Sequence, residues 1–164
     1  MTVERVRVLF VCTGNICRSP MAQAIGAGLA RSAGLAVDFE FDSAGVHAVA
    51  GAPIDPRARK VLERAGYDVK ARRARHVGTR DFDAFDLVLA MDAGHLEALR
   101  EACPASQAHK LRLFLDFAPG LAGQDVPDPY YGDAGGFERV RELCEAGVRG
   151  LLWAPRPAPL KDPS

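Results

Sequence analysis

The residues from Cys12 to Arg18 have types and a spacing suited to phosphate chemistry. The motif "CTGNICR" places a thiol and a guanidinium at its two ends, with Gly14 and Asn15 between them. Glycine and asparagine tolerate the positive φ angles of a tightly curled loop, and such a loop turns its N–H groups inward as an anion nest. The planar fork of Arg18 can bind two oxygens of a phosphoryl group. We therefore predict a cradle for a phosphoryl dianion.

The same loop is expected to activate Cys12 as a nucleophile. A thiol that faces amide N–H groups, a helix N-terminus and a guanidinium ionises readily to the reactive thiolate. Ser19 is placed to donate its hydroxyl proton to the sulfur, which stabilises the thiolate and improves it as a leaving group. The alternative is that Cys12 is a small buried apolar residue and Arg18 a surface cation. The predicted strand, Gly-Asn turn and helix start around the motif favour the nucleophile.

The motif lies between a predicted strand and a predicted helix. Residues 6–11, "VRVLFV", are β-branched and aromatic and are followed at once by turn formers, which indicates a buried strand. Ser19 and Pro20 suit a helix start, and Gly34 suits the end of that helix. The remaining predicted strands are 36–45, 85–92 and 110–118, and the remaining predicted helices are 55–67, 93–103 and 135–154.

This alternation of strands and helices predicts an α/β fold. We expect a four-stranded parallel sheet in a three-layer αβα sandwich of the Rossmann-like or flavodoxin-like type. Ligands on such sheets bind at the carboxyl ends of the strands, where the first strand delivers Cys12. The chain has 164 residues. We assign a single domain to 1–153, and we assign the Pro-rich residues 154–164 to a C-terminal tail.

Composition and charge argue against several classes of partner. Lys plus Arg number 21 and Asp plus Glu number 21, so the formal net charge is zero. The chain therefore lacks the broad positive field that nucleic-acid binding usually requires. The apolar run at 6–11 is too short for a signal segment or a membrane span, so we expect no membrane partner and a cytoplasmic location. No cysteine or histidine spacing fits a zinc site, so we expect no metal.

"VCTGNICRSPMA" near the start and "VPDPYYGD" near the end resemble the motifs of the low-molecular-weight protein tyrosine phosphatase family. The resemblance extends over nearly the whole chain through "DSAG", "DPRA" and "RDFDAFDLVLAMD" in the family's order. It implies hydrolysis of phosphotyrosine on proteins through a cysteinyl-phosphate intermediate, without a cofactor. The implied partners are phosphotyrosine proteins, a tyrosine kinase among the candidates, and phosphate or other oxyanions in the loop. A monomer or weak dimer is expected.

The resemblance makes Asp128 the general acid beside the catalytic Cys12 and Arg18. Independent chemistry supports this role, because Pro127 and Pro129 restrict the backbone on both sides and hold the carboxyl on a stiff loop. The same carboxylate could later activate water against the cysteinyl phosphate. The alternative is a solvated turn aspartate, as is usual for Asp-Pro.

Further positions match the family's substrate-binding residues. Tyr130 and Tyr131 fit an aromatic rim, where a phenyl ring can pack while the phosphate reaches the sulfur. One of the two tyrosines could instead be partly buried core and the other surface. Ile16 favours phosphotyrosine, because a sibling branch that resembles protein arginine phosphatases carries threonine there. The substrate-binding residues of the loop are Thr13, Gly14, Asn15, Ile16, Cys17 and Ser19.

The resemblance also implies supporting residues around the loop. Asn15 and Ser43 match polar residues that brace it by hydrogen bonds. Asp92 matches the family's "MD" at a strand end, and its alternative role is the N-cap of the next helix. Arg72 stands where many members have a histidine, so it adds a permanent charge to the supporting network.

The family also implies a role for the second cysteine of the loop. Cys17 matches a residue that forms a reversible disulfide with the nucleophile, which would make the site redox-sensitive. An inert buried Cys17 is the alternative. Ala48 stands where a rim aromatic is common, which leaves one wall of the site open unless His47 replaces it.

The sequence argues against three other functions. An arsenate reductase on the same scaffold needs two further cysteines about seventy residues downstream, and 82–89 contains none. A catalytically silent phosphopeptide-binding module would not need both Cys12 and Asp128. A nucleotide-binding P-loop is excluded because G-x-x-x-x-G-K-[ST] is absent.

Overall fold

The computed structural model describes residues 5–157. In this part of the chain, four parallel strands form one sheet in the order β2-β1-β3-β4. The strands are β1 (Val6–Cys12), β2 (Phe39–Gly45), β3 (Leu87–Ala90) and β4 (Leu111–Leu113). β1 pairs with β2 on one side and β3 on the other, so Cys12 leaves the sheet at the carboxyl end of a central strand. The predicted four-stranded parallel sheet is confirmed.

Helices cover both faces of the sheet. They are α1 (Arg18–Ser32), α2 (Pro56–Arg64), α3 (Thr79–Ala84), α4 (Ala93–Ala102) and α5 (Ala134–Trp153). Alternate residues of β1 point to opposite faces, as the period of a strand requires. Val8 and Phe10 join the apolar cluster with α1, α2 and α5, whereas Leu9 and Val11 join the cluster with α3 and α4. These two clusters make the three-layer αβα arrangement predicted from the sequence.

The second strand starts later than the sequence pattern predicts. β2 begins at Phe39, and the Val37 side chain is 63% exposed. The reason is the register with β1, since Val6 pairs with Phe39 and its N–H donates to the Asp38 carbonyl at 2.8 Å. Within residues 5–157, no strand pairs with the chain before Asp38, and a β-branched side chain alone does not make a strand.

The third and fourth strands are shorter than predicted. β3 keeps only the middle of the expected 85–92, and Asp86 instead accepts the N–H of Arg7 at 2.7 Å. β4 keeps three residues of the expected 110–118. It lies at the sheet edge and pairs only with β3, after which Phe114 enters the core through a 3₁₀ turn at Phe114–Phe117.

Some short elements were not predicted at all. α3 has six residues, too few to show a helical period, and Asp81 accepts the Gly78 N–H at 2.8 Å to hold its first turn. A second 3₁₀ turn at Ala105–Lys110 precedes β4. Most of the predicted tail, 158–164, lies outside the described residues. Within 5–157, no helix is long and apolar enough to cross a membrane.

Candidate active site

The loop between β1 and α1 is held from outside by its carbonyl groups. Val46 N–H donates to the Cys12 carbonyl at 3.0 Å, and His47 N–H donates to the Thr13 carbonyl at 2.9 Å. Asp55 N–H donates to the Ile16 carbonyl at 2.9 Å. The segments after β2 and before α2 therefore fix the outer side of the loop.

The N–H groups of the loop remain available to a ligand. Between Thr13 and Cys17, no N–H donates to an acceptor within residues 5–157. The curl is made at Asn15, whose φ is 57°, the left-handed region that asparagine tolerates. α1 begins directly after Cys17, so its first free N–H groups add to the same concave surface. The arrangement can bind an anion, as helix N-termini with oriented amides do.

Cys12 lies at the floor of this loop, next to Ser19. The Cys12 side chain is 2% exposed, and its Sγ is 2.9 Å from Ser19 Oγ. Asn15 Nδ2 donates to Ser19 Oγ at 2.8 Å, which occupies one acceptor position of the hydroxyl. The Ser19 proton can then point to the sulfur, or to the Ala44 carbonyl at 3.3 Å. A thiolate at Cys12 would accept a charge-assisted hydrogen bond from this hydroxyl.

Arg72 braces the loop through Asn15. Its Nη2 donates to Asn15 Oδ1 at 2.7 Å and its Nη1 donates to the Asn15 carbonyl at 3.3 Å. The Arg75 N–H adds a bond of 3.1 Å to the same Oδ1. Arg72 therefore supplies hydrogen bonds at the position where the resemblance implies a histidine.

Ser43 contacts this network by its backbone. Its carbonyl accepts from Arg72 Nη2 at 3.4 Å, whereas its hydroxyl donates to Gln23 Oε1 at 2.6 Å. The Ser43 side chain thus makes no hydrogen bond to the loop among the described residues, and only its carbonyl contacts Arg72. The sequence analysis missed Gln23, because a single glutamine on a helix gives no signal of such a contact.

Arg18 is buried and held by fixed partners. Its Nη1 donates to Asp92 Oδ2 at 2.9 Å and to the Val126 carbonyl at 3.1 Å, and its Nη2 donates to Thr13 Oγ1 at 3.3 Å. Asp92 fulfils both roles considered for it, since its Oδ1 also accepts the His95 N–H at 2.9 Å and caps α4. Burial raises the pKa of Asp92, but the His95 N–H and Arg18 outweigh this and hold that pKa below its usual value.

His95 is a site neighbour that the sequence analysis missed. Its Nε2 lies 2.7 Å from Thr13 Oγ1, and its ring is buried. Burial, opposed by the Asp92 carboxylate, lowers the pKa of His95 to about 4, so the imidazole is neutral near pH 7. Thr13 Oγ1 accepts from Arg18, so its own proton can go to Nε2. No spacing rule points to a contact between residues 82 positions apart.

Asp128 lies on the opposite side of the opening. Its Oδ2 is 3.6 Å from Arg18 Nη2, and its Oδ1 accepts the Tyr130 N–H at 3.1 Å. The Tyr130 and Tyr131 rings meet edge to face with centroids 4.9 Å apart, and Tyr131 is 91% exposed. The resulting cleft has a volume of about 190 Å³. It is lined by Cys12, Thr13, Gly14, Ile16, Cys17, Arg18, Asp128, Tyr130 and Tyr131.

The structure thus brings together all the predicted site residues. Nine line the cleft, and Asn15, Ser19, Ser43, Arg72 and Asp92 surround its floor. Neither Ala48 nor His47 lines the cleft, and the open wall at this position stays a prediction. A larger cavity of about 260 Å³ lies beyond Arg72, between α1, β2 and residues 68–72, and contains neither the thiol nor the acid.

Cys17 is buried at the N-terminus of α1. Burial first, and then the negative charges of Asp55, Cys12 and Asp128, raise the pKa of Cys17 to about 12, so it is a protonated thiol. The cysteines in residues 5–157 are all free, and the disulfide between Cys12 and Cys17 stays a prediction. Within the same residues, no group of three side chains could hold a metal ion.

Comparisons with known proteins agree with this geometry. The family model of the low molecular weight phosphotyrosine protein phosphatases matches residues 7–161. The chain belongs to this family. A low molecular weight protein-tyrosine-phosphatase of Streptomyces coelicolor is 49% identical over 156 residues, which cover 92% of this chain and 93% of that protein. The predicted family and fold are therefore confirmed.

Solved structures show the same low molecular weight phosphatase fold. A protein tyrosine phosphatase from Entamoeba histolytica, with Hepes in its active site, is 37% identical and has a TM-score of 0.84 over 90% of this chain and 94% of that chain. An arginine phosphatase from Geobacillus stearothermophilus is 33% identical, with a TM-score of 0.78 over 89% of this chain and 90% of that one. The fold therefore carries two kinds of phosphatase, and the choice between them rests on the cleft.

Proposed function

We propose that this protein is a protein tyrosine phosphatase that works through a cysteinyl-phosphate intermediate. The observation that carries the proposal is a single cleft that contains the Cys12 thiol, the Arg18 guanidinium and the Asp128 carboxyl. Asp128 Oδ2 is 3.6 Å from Arg18 Nη2, so the carboxyl stands beside the guanidinium that would hold the phosphate oxygens. A nucleophile, an anion clamp and a proton donor in one cleft fit phosphoryl transfer to the enzyme.

In the first step, Cys12 Sγ attacks phosphorus as a thiolate. The sulfur–phosphorus bond forms as the bond from phosphorus to the tyrosine oxygen breaks. Arg18 and the loop N–H groups hold the equatorial oxygens, whose charge they stabilise in the transition state. Asp128 gives its proton to the departing phenolate oxygen. The products of this step are a free tyrosine and phosphorylated Cys12.

In the second step, water hydrolyses the phosphorylated cysteine. The Asp128 carboxylate takes a proton from the water as its oxygen attacks phosphorus, and the sulfur–phosphorus bond breaks. Ser19 lies 2.9 Å from the sulfur and donates to it as it leaves as a thiolate. Inorganic phosphate departs, and Asp128 is protonated again for the next cycle.

The walls of the cleft favour an aromatic substrate over phosphoarginine. Ile16 places an apolar side chain in the lining, and Tyr130 and Tyr131 stand at the rim. A phenyl ring can pack against these faces, whereas a guanidinium would need polar partners in the wall. Asp128 is the one carboxylate among the lining residues, and the first step requires it as the acid.

The expected substrates and setting extend this proposal. Phosphotyrosine proteins are the substrate class, and a tyrosine kinase of the same cell is a candidate within it. The four free cysteines of the described residues suit a reducing compartment, which supports a cytoplasmic location. We also propose a monomer or weak dimer, since the exposed large apolar side chains within 5–157 are few.

Two substitutions test the mechanism. Cys12→Ser should abolish turnover and keep phosphate binding, because the loop N–H groups and Arg18 are unchanged. Asp128→Asn should lower kcat/KM, which reports the first step, on the order of 10²–10⁴-fold for phenyl phosphate, and much less for 2,4-dinitrophenyl phosphate, which needs no proton to leave. Steady-state kinetics with both esters measure this difference.

The same kinetics decide between substrate classes. A phosphotyrosine peptide should be hydrolysed far faster than the matched phosphoserine or phosphoarginine peptide. Near-normal turnover by Cys12→Ser would remove the covalent intermediate. If Asp128→Asn lost kcat/KM equally on both aryl esters, Asp128 would not be the general acid. Faster hydrolysis of the phosphoarginine peptide would make the protein an arginine phosphatase.

A further inference from the structure

Arg57, outside the cleft lining, holds the backbone that positions Asp128. It is the second residue of α2, and its Nη1 donates to the Tyr130 carbonyl at 3.0 Å. The N–H of the same Tyr130 donates to Asp128 Oδ1 at 3.1 Å. The carbonyl of Tyr130 is therefore held by Arg57, and the N–H of Tyr130 holds the carboxyl of Asp128.

The rest of the Arg57 guanidinium is fixed by a buried carboxylate. Nε donates to Asp55 Oδ1 at 3.1 Å and Nη2 donates to Asp55 Oδ2 at 2.9 Å, in a two-point ion pair. Burial raises the pKa of Asp55, but the hydrogen bonds from Arg57 outweigh it and keep that pKa below its usual value. The carboxylate is thus charged near pH 7 and holds the fork in one orientation.

The Asp55–Arg57 pair also touches the phosphate loop and α5. Asp55 N–H donates to the Ile16 carbonyl at 2.9 Å, inside the loop that carries the thiol. The Arg57 guanidinium lies over the Phe137 ring, with Cζ 4.7 Å from its centroid, and 5.3 Å from the centroid of Tyr130. One ion pair therefore connects the loop of the nucleophile with the loop of the acid.

We propose that Arg57 is a positioning residue. It sets the distance between the acid loop, residues 126–133, and the phosphate loop, residues 12–18. This inference rests on the proposed function, in which Asp128 is the general acid. Arg57 acts through the Tyr130 peptide and does not touch the substrate. Three nitrogens of one planar group are used in different directions, so the single nitrogen of a lysine cannot reproduce the two-point pair with Asp55 together with the bond to the Tyr130 carbonyl.

The leaving group of the substrate shows whether Arg57 acts through Asp128. Arg57→Met should lower kcat/KM on phenyl phosphate by on the order of 10–100-fold, since a displaced acid transfers its proton poorly. It should change kcat/KM on 2,4-dinitrophenyl phosphate by less than about 3-fold, because that ester needs little acid catalysis and kcat/KM does not include the hydrolysis of phosphorylated Cys12. Arg57→Lys should show the same selective loss, although it keeps the charge and is the safer variant for folding.

A double variant and a matched control complete the test. In an Asp128→Asn background, Arg57→Met should add no further loss on phenyl phosphate, because both changes remove the same interaction. Arg59→Met, in the same helix and paired only with Glu63 among the described residues, should behave as the unmodified protein. Melting temperatures should confirm that each variant is folded at the assay temperature.

The outcomes separate this inference from the proposed function. Suppose that Asp128→Asn loses more kcat/KM on phenyl phosphate than on 2,4-dinitrophenyl phosphate, but the Arg57 variants lose kcat/KM equally on both esters. Arg57 then does not position the acid. Additive losses in the double variant would have the same meaning. If Asp128→Asn itself shows no such difference between the esters, the proposed general acid is wrong, and the inference about Arg57 is withdrawn with it.

Discussion

The imidazole of His95 connects the phosphate loop to α4 through one hydroxyl group. Thr13 Oγ1 lies 2.7 Å from His95 Nε2 and accepts from Arg18 Nη2 at 3.3 Å. A neutral imidazole can accept the Thr13 proton, whereas a protonated one would be a second donor facing it. Burial holds the pKa of His95 at about 4, so the accepting form persists well below neutral pH. The orientation of Arg18 thus depends on an imidazole that does not ionise near pH 7.

We expect this burial to make stability depend on pH. The usual pKa of histidine is about 6.5, so between pH 6.5 and 4 the unfolded chain binds a proton that folded His95 does not. Stability is therefore lost as the pH falls through this window. His95→Gln removes the titration. The free energy of unfolding can be measured with urea at pH values from 7 to 4. The difference between the unmodified protein and His95→Gln should fall by on the order of 3 kcal/mol over this range.

The exposed His109 supplies the control for this comparison. His109→Gln should follow the unmodified protein at every pH, because this imidazole is not buried. A difference between the unmodified protein and His95→Gln that stays constant from pH 7 to pH 4 would contradict the neutral, buried imidazole.

At the scale of single residues, the sequence predicts those whose chemistry depends on local spacing. Cys12 and Arg18 belong to one motif, and Asp128 is named from the resemblance of "VPDPYYGD" to a family motif, with its two flanking prolines as support. His95 and Arg57 could not be named from the sequence, because their contacts are made across 82 and 73 positions of the chain. Those distances are set by the packing of helices, which no local pattern encodes.

At the scale of elements, α5 lies unusually close to the turn that follows β4. A Cβ added at Gly147 would come within 2.5 Å of the Phe114 ring, and one at Gly150 would overlap the carbonyl of Phe117. Glycine at these two positions lets the helix approach the 3₁₀ turn. The close approach explains why β4 ends after three residues, since the chain must bend to place Phe114 beneath α5.

Gly150→Ala is therefore expected to destabilise the protein. Alanine favours a helix over glycine by about 1 kcal/mol, but the overlap with the Phe117 backbone forces a shift that costs on the order of 1–3 kcal/mol or more. We expect a lower urea midpoint with an unchanged slope. Gly136→Ala is the control, because its Cβ would meet Pro129 at an ordinary 3.5 Å. If Gly150→Ala were as stable as that control, the close packing of α5 would be contradicted.

The sequence predicts elements well where hydrophobic period and capping residues agree. α2 and α4 begin after Asp55 and Asp92, whose side chains accept the Arg57 and His95 N–H groups as N-caps. The start of β2 and both ends of β3 and β4 were predicted wrongly, because strand length depends on which partner strand is present. Val37 has strand propensity, but within residues 5–157 no strand pairs with it.

At the scale of the whole molecule, the site joins parts of the chain that are far apart in sequence. The single side chain of Arg18 donates both to Asp92, at the start of α4, and to the Val126 carbonyl. The nearby Asn15 accepts a hydrogen bond from Arg72. A dianion bound in the cleft would therefore stabilise the folded state of the whole chain, since the unfolded chain has no such site.

Inorganic phosphate should raise the unfolding free energy by mass action. At about 100 times its dissociation constant, the expected gain is about 2.7 kcal/mol. Thermal unfolding with phosphate, against chloride at equal ionic strength, measures this gain. Arg18→Met should lose most of it, whereas Arg59→Met should keep it. An equal gain in Arg18→Met would place the phosphate outside the cleft.

The positions of the thiol and the acid in the chain have a consequence for biosynthesis. Arg18 meets the Val126 carbonyl, 108 residues further along the chain. At ribosomal rates of about 5–20 residues per second, that distance takes roughly 5–20 s to translate. Each new molecule therefore carries the Cys12 thiol for several seconds before Asp128, the proposed acid, is made. During that interval a nascent chain could be oxidised at Cys12, yet it could not complete a catalytic cycle on any phosphoprotein nearby.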